Sequence, residues 1–444
     1  MSPTGKIHTP VFPNLRAIKS LAYELGFNLV GIAPAVEPPH WQTLGEWVQK
    51  GMHAEMEYIP RRLPAYRHPS HVLPGCQSVV VVAAAYRPVL DPSLPLGAGR
   101  IAAYALLEDY HRLLGNRLKQ LAGAIASALP LARTRVAVDT APLLERSFAV
   151  LAGLGWIGKN TMLLHPQLGS YTLLGTVLST ARMSADLPFD RHHCGRCQAC
   201  VQACPTGAIV APGTLDARKC ISFWTIEART LPPRELRSRF GQWFFGCDRC
   251  QEVCPWNRRL LRKEVIPLIL AEQVLPYGVD MCTVVTATDE QLRSWFGKTP
   301  LLRAKAAGLR RNAALVLGNA LRTVRAKGSQ PADFQPMLSQ PEETSPSWDH
   351  PSSLPPAQES FPGGNPGETL ICQMPADLEA AQARWRQALG KALQDPYPVV
   401  RQAAAWALGQ APQSQARQML IYARQQESDP AVQEEIRAAL EEVP

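Results

Sequence analysis

Cys194, Cys197, Cys200 and Cys204 stand at spacings of three, three and four, with a proline directly after the last, in HHCGRCQACVQACPTGAI. This is the C-x2-C-x2-C-x3-C-P run of a bacterial ferredoxin. Three thiolates on one tight loop reach three irons of a single [4Fe-4S] cube. The fourth cysteine starts a helix that points elsewhere, and in two-cluster ferredoxins it ligates the other cube. A second group, GCDRCQEVCPWN, repeats the ending with Cys247, Cys250 and Cys254–Pro255, and Cys220 upstream supplies the missing member. The crossover rule then gives Cys194, Cys197, Cys200 and Cys254 to one cluster and Cys204, Cys220, Cys247 and Cys250 to the other. Paired zinc sites are the competing reading, since C-x2-C repeats also bind zinc, but zinc requires neither the full ferredoxin run nor a second C-x3-C-P. Cys76, Cys282 and Cys372 stand isolated and are expected to be structural.

Two cubes in one small module form an electron wire, and a wire needs a terminal acceptor. GLGWIGKN, from Gly153 to Asn160, matches G-x-G-x-x-G, but a helical pattern precedes it and no Asp or Glu lies between Gly158 and Asp186. Those glycines therefore read as a turn and not as a dinucleotide site. Asp139 sits at a strand end in AVDTAPLLER, a usual place for a functional carboxylate, and equally a cap for the segment from Thr140 onward. The remaining chemistry is basic. Between Gln291 and Gln330 there are nine Lys or Arg and no Asp or Glu, while the rest of the chain balances at 37 against 37. Such a confined excess is either the footprint of a polyanion or a solvated helical face. Within it, Arg303, Lys305, Arg310 and Arg311 are spaced for one side of adjoining helical turns. Asn312 follows, placed to reach a base or ribose or simply to cap a helix.

These residues need scaffolding, and 444 residues suffice for two or three cores. A hydrophobic share of 46% and a charged share of 19% are ordinary for a globular protein. The longest apolar run, SVVVVAAAY, is far short of the ~20 residues that cross a bilayer and reads as a buried strand. The N-terminus shows neither a secretory h-region nor a twin-arginine leader, so cytoplasm is expected, where eleven cysteines point to metal rather than disulfides. Helical patterns at Asn14–Gly26 and Tyr110–Leu129 alternate with strand patterns at Phe27–Pro34, Ser78–Tyr86, Arg135–Asp139 and Tyr171–Thr180, which suggests an α/β or α+β domain over residues 1–187. The cluster module is expected at 188–264. Helical repeats follow at 265–330 and 376–444: LRRNAALVLGNA from Leu309 aligns with VRQAAAWALGQA from Val400, and Asp-Pro opens helices at Asp395 and Asp429. The pattern resembles HEAT-like repeats. Between the two halves, 331–375 holds ten of the forty prolines and reads as a disordered insertion.

VDTAPLLERSFAVLAGLGWIGKNTMLLHPQLGSY, the double cluster motif, CISFWTIE and CDRCQEVCPWN together resemble epoxyqueuosine reductase, the cobalamin-dependent iron–sulfur enzyme of queuosine synthesis. The resemblance covers about Asn14 to Gly318 and resumes after Leu378. It implies an α+β chain: a nitroreductase-like domain holding base-off cobalamin, a ferredoxin-like module with two [4Fe-4S] clusters, and a HEAT-like tail gripping a tRNA anticodon stem-loop. The reaction implied is reduction of epoxyqueuosine to queuosine at the wobble position of tRNA. By the same resemblance Asp139 is the proton donor to the epoxide oxygen, its pKa raised by burial, and Arg146 contacts the corrinoid. Tyr104, Lys159, Asn160, Ser222 and Asp248 are matched to the cofactor site. The expected partners are tRNA and an external reductase, ferredoxin or flavodoxin, with no membrane and a monomeric chain. A cobalamin-dependent reductive dehalogenase shares the two-cluster logic, and a ferredoxin-type electron carrier on a helical scaffold is the non-enzymatic rival.

Overall fold

A computed structural model describes residues 15–86, 94–258, 273–328, 370, 377–411 and 414–443. Helix α1 (Leu15–Glu24) leads into strand β1 (Leu29–Pro34), which pairs antiparallel with β2 (Ser78–Ala85). Every residue of β2 is buried. A strand covered on both faces carries no polar alternation, which is why SVVVVAAA is an unbroken apolar run. Helix α2 (Tyr110–Ala128) covers one face, through Leu114, Leu118, Leu121 and Ile125 against Val80 and Val82. Helix α3 (Glu145–Leu151) covers the other, with Phe148 and Ala149 against Val79 and Val81. With β4 (Thr134–Ala137) and β5 (Thr172–Ser179) the sheet order is β1–β2–β5–β4, antiparallel throughout. The class is therefore α+β. All four expected strands form, with shifted ends, and the Asn14 cap lies outside the described residues.

After α3 the chain turns sharply. Gly155 has φ 149°, and a Cβ there would stand 2.1 Å from the Leu164 carbonyl oxygen, so only glycine fits. The turn delivers a short hairpin, Trp156–Ile157 against Leu163–Leu164, and no dinucleotide cradle.

A second sheet joins three distant segments. Strand β3 (Ala98–Ile101) lies between β6 (Trp243–Phe245), parallel to it, and β7 (Gly278–Asp280), antiparallel to it. On this sheet rest helix α4 (Ile221–Ile226), α5 (Met281–Val285) and α6 (Lys305–Gly328), and on α5 and α6 stack α7 (Leu378–Ala392), α8 (Pro398–Gly409), α9 (Ser414–Gln426) and α10 (Pro430–Glu442) in turn. One core runs from Ile101 through Phe244, Leu317 and Trp385 to Ile436. The core thus takes residues from both sides of the expected 264/265 boundary, which itself lies outside the described residues. The aligned Leu-Gly pairs are helix crossings: a Cβ on Gly318 would stand 2.9 Å from the Ala407 Cα, and one on Gly409 3.1 Å from the Ala439 Cα. Asp429 caps α10 by accepting from the amides of Ala431 and Val432. The proline-rich stretch 331–375 lies outside the described residues, Leu370 apart, and Cys372 lies outside with it. Among the described residues no helix is long and apolar enough to cross a membrane.

Candidate functional site

Ten cysteines are described, all unpaired, and the eight motif cysteines gather in two sets. Short helices, Ala199–Gln202 and Arg249–Glu252, present Cys200 and Cys250 from the two loops. Burial pushes the Cys200 thiol up, and so does the nearness of Cys254, Cys194 and Cys197. Burial raises Cys250 as well, reinforced by Cys220 and, further off, by Cys200 and Cys204. Cys247 is raised by burial and then by Cys250 and Cys220, and Cys220 by burial and by Cys204. Sulfurs more than fifty residues apart in sequence therefore face each other, and the two sets adjoin. Thiols so crowded ionise only if cationic metal compensates them, which is the chemistry of a thiolate-bound cluster. Among the described residues no three His, Cys, Asp or Glu are gathered tightly enough for a single metal ion. The sets suit cubes, whose four ligands sit at separate irons.

Asp139 lies just past β4 with φ 57°, a left-handed conformation uncommon for a residue with a side chain. Its amide donates to Glu145 Oε1 at 3.0 Å, which fixes the turn from α3. Its Oδ2 lies 3.7 Å from His111 Nε2 and accepts from the Tyr110 hydroxyl at 3.4 Å. The other ring nitrogen of His111, Nδ1, meets Asp109 Oδ1 at 2.7 Å. Burial works against a charged His111 ring, but the hydrogen bonds of Asp109 and Asp139 outweigh it and push the ring up to about 9. The hydrogen bond to His111 in turn holds the Asp139 carboxyl below its usual range, against the pull of desolvation. The expected rise in the Asp139 pKa is thus reversed, because a cation stands beside it. Glu145 goes the other way: burial, with Asp139 close by, pushes it up to about 8.

Phenol rings line the same cleft. Tyr104 and Tyr110 meet edge to face at 6.1 Å, and Tyr110 stacks on His111 at 4.1 Å. Tyr58 and Tyr66 are close enough to Asp139 for its charge to help raise their pKa values, after burial. Arg146 is lowered chiefly by burial and feels Asp139, Glu145 and Cys250, which sets the second cysteine group at the inner end of the cleft. Tyr58, Tyr66, Tyr110, His111 and Glu145 escaped sequence reading. The Asp109 cap directly before Tyr110–His111 was the one available signal.

The other residues matched to the cofactor site divide. Tyr104 and Ser222 are half-buried, while Arg146 keeps an exposed surface within its crowded surroundings, and Tyr104 and Arg146 border the cleft. The Lys159 ammonium donates to the carbonyls of Gly195 and Cys197, each at 2.8 Å, and so runs to the first cysteine loop. Asn160 is buried, donating to the Cys250 carbonyl at 3.4 Å. Asp248 is buried and accepts from the Ala103 amide at 2.7 Å and from Gln251 Nε2 at 3.0 Å.

Much of the basic stretch turns inward. Arg310 is buried, with ion pairs of 2.8 Å to Asp289 and 2.7 Å to Asp395. Arg311 is fully buried and donates to the carbonyls of Ala228, Thr230 and Trp224. Asn312 donates to the carbonyls of Thr225 and Phe244. None of these three reaches a phosphate or base: Arg311 and Asn312 pack toward α4 and β6, while Arg310 turns to the Ala287 carbonyl and the two acids. Arg303 and Lys305 are exposed. Arg303 grips Glu227 through two bonds of 2.9 Å and lies over the Tyr58 ring, at the mouth of the cleft.

Three family models match the chain: "4Fe-4S double cluster binding domain" at residues 193–257, "Epoxyqueuosine reductase QueG, DUF1730" at 67–140 and "HEAT repeats" at 373–441. The epoxyqueuosine reductase of Gloeobacter violaceus is 40% identical over 316 residues, which is 69% of this chain and 96% of that protein. That of Escherichia coli is 41% identical over 249 residues, 54% of this chain and 64% of that one. A solved selenomethionine-labelled epoxyqueuosine reductase superimposes with TM-score 0.76 at 24% identity, over 97% of this chain and 98% of that one. A second, solved with an epoxyqueuosine-modified tRNA stem loop, gives TM-score 0.76 at 24% identity over 96% and 98%. At that identity the two structures establish a shared fold.

Proposed function

Because this chain belongs to the epoxyqueuosine reductase family, we propose that it reduces epoxyqueuosine in tRNA to queuosine within the cleft at Asp139. The observation that carries the reading is the cleft itself: a carboxylate paired to a cationic histidine, walled by phenols, with a ferredoxin-type cysteine set at its inner end. The donor sets fit two [4Fe-4S] clusters, on Cys194, Cys197, Cys200 and Cys254 and on Cys204, Cys220, Cys247 and Cys250. A corrinoid also fits the chemistry of the walls. Tyr104, Tyr110 and Arg146 would hold an amide-fringed macrocycle, and the buried Tyr171 hydroxyl, which finds no acceptor among the described residues, offers one more donor. When bound, the clusters supply single electrons and a base-off cobalamin supplies a strongly reducing metal centre.

The chain's own residues bind, orient and move protons. The net change takes two electrons and two protons and releases the epoxide oxygen as water. Asp139 hands a proton to the leaving oxygen, and His111, cationic below about pH 9, restores it. Asp109 orients the ring of His111, and Glu145 fixes the Asp139 turn. The tyrosines keep bulk water from the reacting ring. Arg303 and Lys305 at the mouth meet tRNA phosphates, so the helical tail is supporting structure for that contact. Residues 1–187, 188–264 and the helical segments 265–330 and 376–444 act as catalytic, electron-transfer and tRNA-facing parts. Electrons enter from an external reductase, ferredoxin or flavodoxin. A plain electron carrier would have no use for the Asp139 cleft.

The test is nucleoside analysis of tRNA from a strain lacking the gene. Epoxyqueuosine should accumulate and queuosine disappear, and both should revert on complementation. Normal queuosine in the deletion strain would refute the reading.

A further inference from the structure

Trp156 lies at the hairpin after Gly155 and keeps only 2% of its surface. It packs in one group with Cys254 and Leu164, and Cys194, Phe189 and Trp256 close around that group. Its ring stands 5.6 Å from Phe189, 4.9 Å from His193 and 5.1 Å from Trp256. Its Nε1 is buried and, among the described residues, has no hydrogen-bond acceptor, neither oxygen nor cysteine sulfur. Native proteins rarely keep a buried donor in that condition. Two other indoles do find one: the partly buried Trp47 donates to the Leu215 carbonyl at 2.6 Å and the buried Trp224 to the Arg218 carbonyl at 2.7 Å. The Trp156 position is also built, since the glycine-only turn at Gly155 fixes where the indole stands.

We propose that the Trp156 N–H donates to an inorganic sulfide of the cluster held by Cys194, Cys197, Cys200 and Cys254, and thereby raises that cluster's reduction potential. This rests on the two-cluster reading above. Among the described residues no atom accepts the N–H, yet two of the four ligands pack against the indole, so the acceptor arrives with the cluster. A donor to sulfur stabilises the reduced cube more than the oxidised one, because reduction adds negative charge to the sulfurs. This is the outer cluster: Cys197 is exposed, whereas Cys250 of the other set is felt by Arg146 in the cleft. A higher potential there lets the outer cube accept an electron from a donor too weak to reduce the inner one.

The experiment is a redox titration of the anaerobically reconstituted full chain, read by electron paramagnetic resonance. The outer signal is assigned by the change that Cys197→Ser makes. Trp156→Phe should move the outer midpoint potential to more negative values and leave the inner one in place, with iron content intact. Phe189→Leu, which disturbs the same packing without removing a donor, should leave both potentials unchanged. An unmoved outer potential in Trp156→Phe with both clusters present overturns the proposal, as does an equal shift in Phe189→Leu. If Trp156→Phe loses the cluster, the unsubstituted protein labelled with ¹⁵N-tryptophan decides. A hyperfine coupling from the indole nitrogen to the reduced outer cluster supports the bond, and its absence overturns it. Failure of the two-cluster reading would show separately, as unsubstituted protein falling well short of about eight irons.

Discussion

A carboxylate 3.7 Å from an imidazole that stays charged to about pH 9 is not where the proton rests at neutral pH. The histidine stores it and Asp139 passes it on, so the two must fail differently. Asp139→Asn should retain iron and corrinoid yet lose turnover by at least ~10²-fold, the usual scale for a general acid, in single-turnover assays on modified tRNA. For His111 the sign follows from its raised pKa: the charged ring is present below about 9 and is lost as pH climbs through it. Turnover should therefore fall on an alkaline limb near 9. In His111→Gln that limb should vanish while the plateau drops; a limb unchanged in this variant would assign the titration elsewhere. The eight cysteines were legible in the sequence because motif spacing encodes them, whereas Asp139 was offered only as a strand-end carboxylate or a cap, with a role implied by the resemblance. The direction of the Asp139 shift was not legible, since it comes from His111 at the start of α2, brought alongside only by packing.

Arg310 shows how an element hides what a charge count cannot. The repeat alignment sets Arg310 against Arg401, and both turn inward to acids: Arg310 to Asp289 and Asp395, Arg401 to Glu427. The repeat was legible, and read through to its charges it would have marked Arg310 as part of the stacking. Sequence spacing gave the helix turn but not which side faces the core. Arg310→Met strands the Asp395 carboxylate in a buried position and should cost about 3–5 kcal/mol in urea unfolding, with no change in the salt dependence of tRNA binding. Arg303→Ala and Lys305→Ala should do the opposite. Stability should hold, while the log–log salt slope of tRNA binding flattens by roughly 0.7–0.9 per lost contact in filter-binding titrations. An unchanged slope in the double variant would move the tRNA contact away from the cleft mouth.

At the scale of the molecule, two cubes require about eight irons and eight sulfides in anaerobic protein. Cys76→Ser and Cys282→Ser should keep them all, because Cys76 is buried beside β2 and Cys282 in the core of α5. Cys200→Ser should lose iron. Stoichiometric zinc would overturn the assignment. The sequence showed three compositional regions, and composition could not reveal that one core crosses all of them. That fact is carried by the sheet β6–β3–β7, whose strands come from all three. Strand β3 leaves the ribosome roughly 140 residues ahead of β6 and 180 ahead of β7, a wait on the order of 10–40 s at usual synthesis rates. Until β6 is made the nascent chain carries this four-residue strand with both edges unpaired, and until β7 follows one edge stays open to pairing with another chain. Chaperone dependence and inclusion bodies are then the natural failings of any fragment ending at Arg258, while the antiparallel sheet of β1, β2, β5 and β4 already has all its strands and can close on its own.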